Sequence, residues 1–138
     1  MNLLLFNLAT DSTHVTLAFG LRWIEELSRN FSHIDVVTMY EGPHDLPSNV
    51  TVWSVGREKG ISKPLRVIKF YRIMFAIFSQ KSIDVASTHM IHSFAVLFWP
   101  IGKLMGIKNL LWYAHGAVPT GLRFAHAAAD RVVSSTPE

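Results

Sequence analysis

Along this chain, short apolar runs alternate with longer stretches in which apolar side chains return every three or four positions. Leu3–Leu8 is the first run and reads as a strand. After the polar turn Ala9–His14, the residues Leu17, Leu21, Ile24, Leu27 and Phe31 recur at helical spacing, with Arg22, Glu25, Glu26 and Arg29 on the other face. That pattern predicts an amphipathic helix of about four turns. Ile34–Met39 is a second strand, and Tyr40–Ser48, with Gly42, Pro43 and Pro47, is a loop. Val50–Val55 alternates and is rich in β-formers, which fits a third strand at a sheet edge. Pro64 suits a first helical residue, and a helix is expected from there to about Ser79, apolar over most of its circumference.

The second half repeats the alternation. Asp84–His89 is a fourth strand, and Ser93–Met105 is a helix that Pro100 is expected to kink or split, with Gly106 as its C-cap. Leu110–Ala114 is an apolar run ending in His115 and Gly116, Gly121–Asp130 looks helical, and Arg131–Glu138 reads as a strand running into a turn. Strands alternating with helices predict an α/β domain spanning residues 1–138, a doubly wound (Rossmann-like) parallel sheet of about six strands. The strands should begin near residues 3, 34, 50, 84, 109 and 131.

That fold gathers the candidate chemistry. Strand one ends at Thr10 and Asp11, strand four at His89, and the fifth run at His115. In the order 3-2-1-4-5-6 these strands are neighbours, and the winding reverses between one and four, so their carboxyl ends surround one crevice. His115 is either a hydrogen-bonded structural histidine or a group aimed into that crevice. Gly116 beside it lets the backbone turn sharply or approach a ligand. Asp11, Ser12 and His14 either cap the first helix or contact hydroxyls of a ligand. The first turn lacks G-x-G-x-x-G, so a dinucleotide fingerprint is missing. His89, His92 and His115 make a poor metal set, since no carboxylate or fourth ligand accompanies them. No Ser-His-Asp or Cys-His arrangement can be argued.

Composition narrows the picture. An apolar fraction of 49% and a charged fraction of 17% in 138 residues indicate a packed core. With no cysteine, disulfide frameworks and thiolate metal sites are excluded, which suits a reducing compartment. Asn30-Phe31-Ser32 and Asn49-Val50-Thr51 match the glycosylation acceptor pattern, with chance the simpler source. The formal charge is +3, and seven of the 13 Lys and Arg lie between Arg57 and Lys81, accompanied only by Glu58. Lys63, Arg66, Lys69 and Arg72 recur every three residues as one slanting basic stripe on the expected helix. Two readings stand: a buried helix with a solvated edge, or a helix lying partly in an anionic membrane interface. No apolar run reaches the roughly 18 residues of a membrane span. The aromatic residues sit in apolar runs without the exposed stacking pattern of single-strand binders, so nucleic acid is not expected as a partner.

The succession Trp112-Tyr113-Ala114-His115-Gly116, a short helix, then Ala129-Asp130-Arg131-Val132-Val133-Ser134-Ser135-Thr136-Pro137-Glu138 resembles the amino-terminal domain of retaining glycosyltransferases of the family-4 type. The likeness is best from Asp84 to Glu138. Those enzymes place two Rossmann-like domains across a cleft, the GT-B architecture. The resemblance implies that this chain is the acceptor-side half of an enzyme that transfers a sugar from a nucleotide sugar to a lipid-linked or saccharide acceptor with retention. It implies no metal and no cofactor. It matches His115 to a histidine that approaches the donor sugar, and His89 to a second, less regular one.

Many relatives carry glycines in the first turn, near the donor phosphates. This chain has none between Met1 and Phe19, which speaks against a backbone-to-phosphate contact there. In the family the nucleotide is bound by a carboxyl-terminal domain. That domain, expected as a partner or subunit, is absent from this chain, so the chain alone should not turn over. Several family members work at the cytoplasmic membrane face, which implies a cytoplasmic, peripherally attached protein. The alternative is a non-catalytic Rossmann-like module that docks a partner protein or a membrane through the Arg57–Lys81 surface.

Overall fold

A computed structural model of the chain describes residues 1–10, 19–89, 92–112 and 131–133. Five parallel strands make the sheet: β1 (Asn2–Thr10), β2 (His33–Glu41), β3 (Val50–Ser54), β4 (Val85–His89) and β5 (Lys108–Trp112). Their order is β3-β2-β1-β4-β5, and a three-residue strand β6 (Arg131–Val133) runs parallel beside β5. The architecture is α/β and compatible with a Rossmann-like fold, with the winding reversing between β1 and β4. Strand three, expected at an edge, pairs only with β2, and does so in parallel from Ile34↔Val50 to Thr38↔Ser54.

The alternation of side chains along each strand sorts the core into two layers. On one face Leu3, Leu5, Ile34 and Val36 are buried against Ile24 of α1 (Phe19–Ser28), with Trp23 and Leu27 packed beside them. On the other face Leu4, Phe6 and Val37 are buried against α2 (Lys63–Gln80) and α3 (His92–Met105). Phe6 is the hub of this layer. Its ring centroid lies 5.7 Å from Phe70, 5.5 Å from Phe94 and 5.3 Å from Phe98. Burying one such ring is worth about 1.5–3 kcal/mol. Between β2 and β3 there is no helix. The eight residues 42–49 cross over as a loop, and Leu46 fills the α1 layer in place of a helix. Asn49 donates to the Ser28 and Phe31 carbonyls at 2.8 and 3.1 Å, so this acceptor-pattern asparagine ties the loop to the end of α1.

Three expectations are corrected. First, α3 is one uninterrupted helix, not two, and Pro100 sits on its exposed side, where water is available to the carbonyl that proline leaves without an N–H. Gly106 does end this segment in the left-handed region, at φ 70°. Second, α2 is not buried around most of its circumference. Phe70, Ile73, Met74 and Ile77 face the sheet, while Leu65, Ile68, Tyr71 and Phe75 are exposed. Third, Lys63, Arg66, Lys69 and Arg72 do not form one surface. A step of three residues turns a helix by about 300°, so four such residues wind halfway around it. Lys63 and Arg72 are exposed, whereas Arg66 and Lys69 are half-buried and Arg66 Nη1 donates to the Ile61 carbonyl at 3.2 Å.

Candidate functional site

The carboxyl ends of β1, β2 and β4 carry polar side chains that a purely structural sheet would not need. On β1, Asn7 and Thr10 are buried and bond to each other, with Asn7 Nδ2 donating to Thr10 Oγ1 at 3.1 Å and that hydroxyl returning to Asn7 Oδ1 at 3.2 Å. On β2, Thr38 is buried and donates to the Tyr40 carbonyl at 3.0 Å. On β4, buried Thr88 donates to Asn109 Oδ1 of β5 at 3.2 Å. Each hydroxyl is satisfied inside the chain, as burial requires. Together they set a polar floor along the edge where the winding reverses, which is where open α/β sheets take ligands.

The β2 side of that edge holds the best-defined side chains. Glu41 pairs in register with Thr10, and Gly42 N donates to the Thr10 carbonyl at 3.0 Å, so the end of β2 folds over the end of β1. His44 Nε2 lies 3.0 Å from Glu41 Oε2. The other ring nitrogen, Nδ1, is buried and has no hydrogen-bond partner among the described residues. Arg57 stacks its guanidinium over the Tyr40 ring at 5.0 Å from the centroid. Beside it Ser54 donates to Glu58, with oxygens at 2.8 and 2.9 Å. A carboxylate with a histidine behind it can accept from two hydroxyls of a ligand and keep its orientation while doing so.

These β2 residues were not among those singled out from the sequence. Glu41 lies in a Gly- and Pro-containing loop with no periodicity to mark it. The available signal was positional, since an acidic residue at the end of strand two is where doubly wound sheets contact a ribose hydroxyl.

The residues that were singled out fare as follows. His89 closes β4, in register with Trp112 at the end of β5. The neighbourhood of β1, β4 and β5 brings those strand ends side by side. Asp11, Ser12, His14, His115 and Gly116 lie outside the described residues. Among the described residues no group of three or more His, Cys, Asp or Glu could hold a metal ion. No protein-family profile matches the chain, and no curated protein matches it significantly.

Proposed function

We propose that this chain is the acceptor-side, amino-terminal domain of a retaining glycosyltransferase with GT-B architecture. The observation that carries the reading is the reversal of winding between β1 and β4, with polar strand ends on both sides of it. The segment Tyr113-Ala114-His115-Gly116, which resembles the family's sugar-site strand end, follows directly on β5, one strand further along.

In this reading the crevice is one wall of a saccharide site. Glu41, backed by His44, accepts hydroxyls of the acceptor, and His115 hydrogen-bonds a hydroxyl of the donor sugar and orients its anomeric carbon. Asp11, Ser12, His14 and His89 border the same crevice. The nucleotide belongs to a second domain, which agrees with the missing glycine fingerprint in the first turn. No metal or cofactor enters the scheme. Orienting groups of this kind act by holding the reacting atoms in line, and their value appears in the rate.

The test is a titration of the isotope-labelled chain with oligosaccharides and, separately, with nucleotides, followed by amide chemical shifts. Saccharides should perturb Thr10, Glu41, Gly42 and His89, and nucleotides alone should leave them in place. Perturbation by nucleotide and not by saccharide, or shifts confined to other surfaces, would reject the assignment. A second reading, a docking module without catalysis, is favoured by the exposed apolar side of α2. Sugar transfer by the chain once supplied with a nucleotide-binding GT-B half would exclude it.

A further inference from the structure

The outer surface of α2 and α3 has no structural role in the core. Phe75 is 79% exposed and Leu104 is 85% exposed, and Leu65, Ile68 and Met105 are each more than half exposed. Residues buried in the core are expected of so apolar a pair of helices, and single exposed apolar residues need no explanation. A contiguous set is different. The two helices lie side by side: Phe70 of α2 stacks on Phe94 of α3 at 5.5 Å, and Tyr71 Oη donates to the Leu97 carbonyl at 2.7 Å. Partial burial pushes the Tyr71 hydroxyl pKa up, so this tie persists into alkaline solution. The outer sides of α2 and α3 therefore form one surface.

Its charge identifies the occupant. Neither α2 nor α3 contains an aspartate or glutamate, and the stretch 85–129 has none at all. The exposed polar side chains among these apolar residues include Arg72 and Lys103. A second copy of the chain docked on this face would bring cations against cations with no carboxylate from either helix to pair them. An anionic lipid surface supplies the missing charge and takes up the apolar side chains. No helix among the described residues is long and apolar enough to cross a membrane, so the face lies on the bilayer and does not span it.

We infer that α2 and α3 together form a peripheral docking face for anionic membranes. Leu65, Ile68, Phe75 and Leu104 enter the headgroup region, and Arg72 and Lys103 meet lipid phosphates. This differs from binding by the whole basic stripe. Arg66 is committed to the Ile61 carbonyl and is half-buried, so it contributes little. The inference stands apart from the glycosyltransferase reading and holds for a docking module equally.

The experiment is co-sedimentation of the chain with vesicles of phosphatidylcholine alone and of phosphatidylcholine with an equal part of phosphatidylglycerol, at low and high salt. Binding should require phosphatidylglycerol and weaken with salt. The double variant Phe75→Ser/Leu104→Ser should bind at least about tenfold more weakly, since each loses apolar area that would enter the bilayer. Arg72→Ser should cost about fivefold, and Arg66→Ser less than about twofold. These four substitutions are at exposed or half-buried positions, and an unchanged melting temperature verifies that each variant folds. Equal binding by the double variant and the parent overturns the inference, as does equal binding to vesicles without phosphatidylglycerol. A dimer that the double variant abolishes would give the face to a second copy. Tighter binding to a polynucleotide than to vesicles would give it to nucleic acid. Either result also overturns the inference.

Discussion

Asp35 is fully buried at the amino-terminal end of β2, and Lys81, just past α2, holds it. Lys81 Nζ lies 3.2 and 3.1 Å from the two carboxylate oxygens, Trp53 Nε1 donates to Oδ1 at 3.0 Å, and His33 Nε2 is 3.5 Å from the same oxygen. Lys81→Met keeps the aliphatic stem and removes the one ammonium on the cluster. Orphaning a buried charge costs about 3–5 kcal/mol. The low end, about 3 kcal/mol, applies here because the Trp53 N–H remains and Lys81 itself keeps some contact with water. For a chain of this length that loss lowers the melting temperature by about 10 °C. The double variant Asp35→Leu/Lys81→Met removes both charges. It leaves only the Trp53 N–H without an acceptor, a cost of about 1–2 kcal/mol. The second substitution should thus restore stability that the first removed. Urea unfolding followed by circular dichroism gives all three free energies. A Lys81→Met protein within about 0.5 kcal/mol of the parent would refute the reasoning. So would a double variant less stable than the single one.

Three further outcomes are expected. Phe6→Ala, which empties the centre of a ring cluster shared by Phe70, Phe94 and Phe98, should destabilise by about 3–5 kcal/mol in the same unfolding assay. Glu41→Gln should weaken saccharide binding about tenfold by calorimetry while leaving stability unchanged, because its carboxylate meets only the half-exposed His44 side chain. In an enzyme completed by the nucleotide-binding half, His115→Ala should lower kcat roughly a hundredfold with nearly unchanged nucleotide affinity, and unaltered turnover would remove His115 from the mechanism.

The strands were legible because each is an apolar run bounded by turn residues, and β1 through β5 start within one residue of where those runs begin. Strand order followed from connectivity rules and not from any residue. What was illegible shares one cause: it depends on which side of an element meets a neighbour. The α2 sequence is apolar enough to read as buried, yet only the third dimension shows that α3 covers one flank and nothing described covers the outer one. A repeat of every third residue looked like a stripe in the sequence and disperses around the helix in space. Asp35 looked like a polar break in a strand, because its partner Lys81 comes 46 residues later.

The two ends of the sheet use polar residues in opposite ways, and that contrast bears on where a ligand can go. At the amino-terminal end the polar groups close on one another. Asp84 Oδ2 accepts from Asn2 N at 2.7 Å, Asn2 Nδ2 donates to the Ser82 carbonyl at 2.8 Å, His33 meets Thr51 at 3.0 Å, and Asp35 is held by Lys81 and Trp53. These contacts join segments up to 82 residues apart and leave little bonding capacity unused. They clamp the strand starts and fix their register. At the carboxyl end the hydroxyls of Thr10, Thr38 and Thr88 form a satisfied floor, while above it the Glu41 carboxylate is partly exposed and His44 Nδ1 lacks a partner among the described residues. Buried polar atoms without partners are costly, and they persist where a ligand can complete them. A rigid amino-terminal edge also lets the opposite edge bear such costs without loss of register. The amino-terminal cluster, although it contains the most deeply buried charge, is therefore a stability element. The carboxyl edge between β2, β1 and β4 is where substitutions should change binding while leaving the fold intact.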